Sequence, residues 1–184
     1  AVSPALAPDQ VVLVSLSTTL ATNTLAEDQR GSVCLILVGY DPQLMQQYGF
    51  HRELATEDVV YVRGGHDLLG NEVASLDEAA VKEAILARRE TVEAFAVSGY
   101  FSVRNPSHEL RVREMIESLS QLPVTCGHEL TSRLNAVRRA TTATLNAHLI
   151  LPLRELIASV QATLEQFGIA APLMVVKGDG SLMR

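Results

Sequence analysis

Val33-Cys34-Leu35-Ile36-Leu37-Val38, running through Gly39-Tyr40 into Asp41-Pro42, is the stretch that decides the fold. Six consecutive apolar residues are too few for a helix and read as a strand buried on both faces. Asp41-Pro42 then supplies a helix cap and a proline at the first helical position, and Gly49 supplies the stop. A strand leading directly into a helix is half of a β-α-β unit, and the rest of the chain repeats that step.

Upstream, Val11-Val12-Leu13-Val14 reads as a short buried strand, with Ser17 and Thr18 as candidate helix caps after it. Downstream, Val59 to Val62 is a strand, and Gly64-Gly65-His66-Asp67 with Gly70-Asn71 marks the turns of a hairpin. Ser75-Leu76-Asp77-Glu78 has the form of a capping box, followed by Ala80, Val81, Ala84, Ile85 and Arg88 on one face. Val92 to Phe101 reads as a strand, and Asn105-Pro106 opens a helix carried by Leu110, Val112, Met115, Ile116 and Leu119. Pro123 to Cys126 is a short strand. The longest helical pattern runs from Ser132 to Phe167, its apolar stripe passing through Leu134, Val137, Leu145, Leu149, Leu153, Leu156, Val160 and Leu164. Pro152 is expected to kink or split it, and Gly168 to end it. Leu173 to Val176 is the last strand. Alternating strands and helices predict an α/β fold, a layered and largely parallel sheet with flanking helices, in one domain over residues 1–184.

Composition narrows the function. The chain has 184 residues, 47% hydrophobic and 20% charged, and a formal charge of −6. That balance is globular, and the negative charge argues against a nucleic-acid partner. The basic pairs Arg88-Arg89 and Arg138-Arg139 fall on predicted helices and read as solvated faces. Cys34 lies in an apolar run and reads as a small buried hydrophobe; with Cys126 it makes neither a disulfide framework nor a metal-ligand spacing. A reducing, cytoplasmic setting follows as the expectation. No apolar run approaches the ~18 residues of a membrane span. The chain opens at Ala1 and stops at Arg184 just after a strand and turn, which reads as a piece of something longer.

Few motifs carry chemistry. His108-Glu109-Leu110 and His128-Glu129-Leu130 begin like a zinc-protease helix, but Val112 and Ser132 stand where the second histidine is needed. Neither common glycine-rich phosphate loop is present, and Val97-Ser98-Gly99 lacks the first glycine of a nucleophile elbow. His66-Asp67 in its glycine-rich turn is the best histidine pair for a site, with a turn role as its plainer reading. Two segments remain: Ser17 to Glu27, rich in Thr and Asn, and Lys177-Gly178-Asp179-Gly180-Ser181. Both follow strands, where open α/β sheets bind ligands.

At these segments the chain resembles a family. Thr18-Thr19, Thr22-Asn23, Leu25 and Glu27 are similar to the Thr-Thr-x-x-Thr-Asn-x-Leu-x-Glu signature of the hydantoinase/oxoprolinase family. Ala96-Val97-Ser98, Phe101-Ser102, Asn105-Pro106 with His108-Glu109, Arg111 to Glu114, Leu145-Asn146-Ala147, Ala171-Pro172-Leu173 and Asp179-Gly180-x-Leu182-Met183 follow in the family's order. The resemblance implies part of an actin-like, ribonuclease-H-like ATPase fold. It implies a domain of an ATP-dependent hydrolase that opens cyclic amides such as hydantoins or 5-oxoproline by phosphorylating the carbonyl oxygen. Ketone carboxylation by a related enzyme, and a non-catalytic scaffold domain, are the alternatives. Thr18, Thr19, Thr22, Asn23, Asp179 and Gly180 would line the cleft; helix capping and a tight turn are their plainer readings, and no acid, base or nucleophile is assigned. ATP and a divalent metal would serve the complete enzyme, with a second subunit or flanking domains as partner. Leu16-Ser17 replaces the family's His-Gly before Thr-Thr, and both of its glycine-rich phosphate grips are missing. The resemblance therefore implies no tightly bound nucleotide or metal on this chain.

Overall fold

The computed structural model describes residues 7–17 and 31–176, with residues 182–183 as backbone. Among them the chain divides into two compact units: residues 30–150 form one, and the segments before and after them form the other.

The central unit is built on the stretch that opened the sequence reading. Strand β2 (Val33–Val38) pairs in parallel with β3 (Val59–Val62) and β6 (Ala94–Gly99), and β6 pairs in parallel with β7 (Val124–Cys126), giving the order β3-β2-β6-β7. Every residue of β2 and β6 is buried, as expected for strands covered on both faces. Cys34, Ile36, Val38, Phe95 and Val97 face one layer, formed by α2 (Glu78–Arg88) through Val81 and Ile85 and by α3 (Ser107–Ser120) through Val112 and Ile116. Val33, Leu35, Leu37, Ala94 and Ala96 face the other, formed by α1 (Pro42–Gln47) through Met45 and by the start of α5 (Ala136–Gln166). Alternate residues of each strand thus serve opposite helical layers. A two-stranded antiparallel hairpin, β4 (Gly65–His66) with β5 (Glu72–Ala74), precedes α2, and a short helix α4 (Gly127–Leu130) follows β7.

Local chemistry explains the boundaries. Asp41 caps α1, its Oδ1 accepting from the amides of Gln43 (2.8 Å) and Leu44 (3.3 Å), and Gly49 follows the helix at φ +71°. For α2 the cap is Asp77, accepting from the Ala80 amide, and not Ser75; the expected box lies two residues too early. Asn105 accepts from the Ser107 amide, and α3 begins after Pro106 rather than at it. The strand expected over Val92 to Phe101 is confined to Ala94–Gly99.

Helix α5 departs most from expectation. It runs unbroken through Pro152, and the division between the units falls at Ile150 and Leu151. Its buried face is not the leucine stripe but Ala136, Ala140, Ala143 and Ala147. Ala94 and Ala96 of β6 belong to the same core cluster, so the side chains that helix and strand contribute to it are small. Leu134, before the helix, is exposed.

In the other unit, β1 (Val14–Leu16) pairs in parallel with β8 (Leu173–Val176), and β9 (Leu182–Met183) runs antiparallel to β8. The strand expected at Val11 begins at Val14; Val12 and Leu13 are exposed. A cavity of about 450 Å³ lies among Ile157, Leu164, Ile169, Pro172 and Leu173. No helix among the described residues is long and apolar enough to cross a membrane.

Candidate functional site

In the central unit, the chain leaves β2 over one face of the sheet and leaves β6 over the other. The carboxyl ends of these adjacent strands therefore form the crevice where open α/β sheets bind ligands. Around it the structure gathers most of the unit's buried polar side chains.

The centre is the Gly99 peptide. Glu109 on α3, 0% exposed, accepts from the Gly99 amide through Oε1 at 2.7 Å. Arg139 on α5, also 0% exposed, donates through Nη2 to the carbonyls of Gly99 (2.8 Å) and Tyr100 (2.6 Å), and through Nη1 to that of Arg133. Opposite charges thus hold one strand end from both sides, each through hydrogen bonds that buried charge requires. The Arg139 Nε–H has no partner among the described residues. Gly127 lets the arginine pass: a Cβ there would stand 3.0 Å from Arg139 Cγ.

Glu109 is saturated on its other oxygen. Oε2 accepts from the backbone amide of His128 at 3.0 Å and from its Nδ1 at 2.5 Å. Beside it, the Tyr40 hydroxyl donates to the Ala136 carbonyl at 2.8 Å and meets Ser98 Oγ at 2.9 Å, joining β2, β6 and α5. Burial pushes the Tyr40 phenol well above its ordinary range.

A second cluster anchors the hairpin. His108 Nδ1 accepts from the Gly65 amide at 3.0 Å, so its proton lies on Nε2, which donates to Glu72 at 3.1 Å. The His66 ring lies 4.3 Å from the His108 ring, and its Nε2 meets Ser107 Oγ at 3.1 Å. Burial, with His108 adding to it, lowers the His66 pKa. Asp67 plays the turn role: Oδ1 accepts from the Leu69 and Asn71 amides and Oδ2 from the Asn71 side chain. His148 is packed, its ring nitrogens facing the Gly31 and Ala55 carbonyls.

Two places among the described residues bear on a phosphate or a metal ion, and the protein's own groups fill both. Gly39, Gly64 and Gly65 have positive φ as in phosphate loops, but they approach each other: a Cβ on Gly39 would stand 2.9 Å from the Gly64 carbonyl oxygen. Glu109, Cys126 and His128 bring ligand atoms within 4.8 Å of one another. Both Glu109 oxygens are already filled by N–H donors, and the Arg113 guanidinium lies at the Cys126 sulfur, where a cation would sit. Burial, then Glu109, pushes the Cys126 thiol up to about 12.

Thr18, Thr19, Thr22, Asn23, Asp179 and Gly180 lie outside the described residues. The structure instead brings forward Glu109, Arg139, His128 and Tyr40. In the sequence Glu109 stands in an incomplete zinc motif and in a segment that follows the family's order, and neither gives it a role. Arg139 contradicts its reading as a solvated residue; Arg138 beside it is exposed, because one step along a helix turns a side chain by about 100°. In the first basic pair both arginines keep some exposure and both are paired, Arg88 with Asp58 at 2.7 Å and Arg89 with Glu90 at 3.2 Å.

Residues 2–120 match the family described as the hydantoinase/oxoprolinase N-terminal region. The chain belongs to that family. The α subunit of caprolactamase from Pseudomonas jessenii is 36% identical over 115 residues, covering 61% of this chain and 16% of that one. The γ subunit of acetophenone carboxylase from Aromatoleum aromaticum is 26% identical, covering 93% of this chain and 27% of its own. The crystal structure of the Pseudomonas jessenii ATP-dependent caprolactamase superposes with a TM-score of 0.83 and 28% identity over 98% of this chain and 28% of that one. Nucleotide-free acetone carboxylase gives 0.71 at 17% identity over 93% of this chain and 28% of its own, a likeness of fold. This hydantoinase/oxoprolinase chain thus spans less than a third of the relatives it matches.

Proposed function

We propose that this chain is a domain of an ATP-dependent hydrolase that opens cyclic amides of the hydantoin or 5-oxoproline type. The observation that carries the reading is the likeness to caprolactamase, 36% identity in sequence and a TM-score of 0.83 in structure. Coupling to ATP suits this chemistry, because an unstrained amide resists attack by water. Nucleotide and divalent metal would be held outside the described residues, in an actin-like ATPase fold of which this chain is part. The relatives' designations as α and γ subunits support a partner subunit. Two free, buried thiols suit a reducing, cytoplasmic setting.

ATP-dependent ketone carboxylation is the second reading, favoured by the acetophenone carboxylase likeness over 93% of the chain. The test is ATP hydrolysis by the complete gene product with its neighbouring subunit. Stimulation by hydantoin, 5-oxoproline or caprolactam supports the hydrolase; stimulation only by a ketone with bicarbonate supports the carboxylase.

A further inference from the structure

The chain contains four Tyr, four Phe and no Trp. Half of these aromatics, Tyr40, Tyr48, Phe50 and Tyr100, line one cavity of about 600 Å³ in the central unit, with Leu44 and Leu134 completing its apolar wall. Small-molecule sites occupy about 300–1,000 Å³ and favour apolar, aromatic linings. The cavity opens where β2 and β6 end, the crevice between strands whose connections diverge. Tyr40 is its buried floor, 5% exposed, and the other three rings stand open to solvent: Tyr48 is 63% exposed, Tyr100 43% and Phe50 37%. The Glu109–Arg139 clamp fixes the peptide that carries Tyr100, so that wall is rigid.

We propose that this cavity is a binding site for a small neutral compound that joins a flat ring to a carbonyl group. Tyr48 and Phe50 stack on each other at 5.8 Å and 28°, and Tyr40 and Tyr100 meet edge to face at 5.2 Å. These pairs present aromatic walls suited to a flat ring. Asp41 is the only charged residue in the lining; it disfavours phosphate and carboxylate, which separates this site from one for nucleotide. Asn135 supplies the polar element. Its Oδ1 is occupied by the Arg138 amide at 3.0 Å, which leaves Nδ2 to donate to a carbonyl oxygen. The proposal rests on the hydrolase or carboxylase reading only in its choice of carbonyl compounds as ligands.

Three of the four tyrosines line the cavity, and no tryptophan masks their emission. Tyrosine fluorescence, with saturation-transfer NMR of the ligand, therefore reads binding directly. A phenyl-substituted hydantoin titrated into the 184-residue chain is expected to give a saturable change. Tyr48→Ala should weaken it at least tenfold and Tyr100→Ala similarly, with Leu69→Ala on the hairpin within twofold. Tyr48 is mostly exposed, so its variant stays folded by melting temperature and keeps the test valid should Tyr100→Ala unfold. No saturable change, equal binding by Tyr48→Ala, or preferential binding of choline or inorganic phosphate would overturn the proposal. Ring binding without amide-stimulated ATP hydrolysis in the complete protein would remove the hydrolase reading and leave the cavity; stimulation untouched by Tyr48→Ala would do the reverse.

Discussion

Gly99 shows how single residues set the geometry of this unit. Its amide is held by a buried carboxylate and its carbonyl by a buried guanidinium. Glu109→Gln keeps the shape but turns an amide NH₂ toward the Gly99 or the His128 backbone N–H, each of which only donates. Leaving buried donors unsatisfied costs about 1–3 kcal/mol, so the urea midpoint should fall by that equivalent. An unchanged midpoint would show that the clamp is not structural. The thiols give a pH-dependent counterpart. Cys34 and Cys126 have an ordinary value of 9.0 and are pushed up to about 12 in the fold, mainly by burial. Above pH 9 the unfolded chain sheds these protons while the folded chain keeps them, so stability is full below that pH and declines as pH rises toward 12. Denaturation midpoints from pH 8 to 11 should show the decline, and a Cys34→Ala, Cys126→Ala double variant should lessen it, most clearly below pH 10, above which the raised Tyr40 phenol adds a decline of its own. At this scale the sequence was legible for the Asp41 cap and for buried cysteine, where neighbours in the chain decide, but not for the cap of α2, which is Asp77 and not Ser75. It was not legible for Arg139, whose acceptors lie at positions 99, 100 and 133.

Elements were legible wherever one local signal sufficed. Val33–Val38 and Leu173–Val176 fall where apolar runs put them, and Asp41-Pro42 starts its helix. The face of α5 was not legible, because counting hydrophobicity ranks leucine above alanine, whereas the face that joins the core cluster with Ala94 and Ala96 carries alanine. Ala143→Leu tests this. It adds three carbons where no space remains, and overpacking of this kind costs about 1–3 kcal/mol. Leu145→Ala, on the partly buried side, should cost less. The reverse order, in melting temperature, would restore the leucine stripe as the packed face. Gly39→Ala is a second test: positive φ and a contact of 2.9 Å to the Gly64 carbonyl oxygen both oppose a Cβ, and a loss of at least ~1 kcal/mol is expected.

At the scale of the molecule, an α/β unit of 121 residues interrupts a smaller one, and the chain crosses back within a continuous helix. No linker signal marks that crossing, so nothing in composition separates the units. Family membership was legible through the order of many short segments, and the residues singled out for the cleft lie outside the described part. The aromatic cavity was illegible, because Tyr40, Tyr48, Phe50 and Tyr100 meet only when β2 and β6 become neighbours. The central claim is that the complete protein opens cyclic amides at the expense of ATP. Its most direct test counts phosphate released against ring-opened carboxylic acid formed (an N-carbamoyl amino acid from hydantoin, a free amino acid from the other two), with hydantoin, 5-oxoproline or caprolactam as substrate and the neighbouring subunit supplied. The account predicts that at least one of the three yields ring-opened product in step with phosphate; phosphate release only with a ketone and bicarbonate, and none with any cyclic amide, would contradict it.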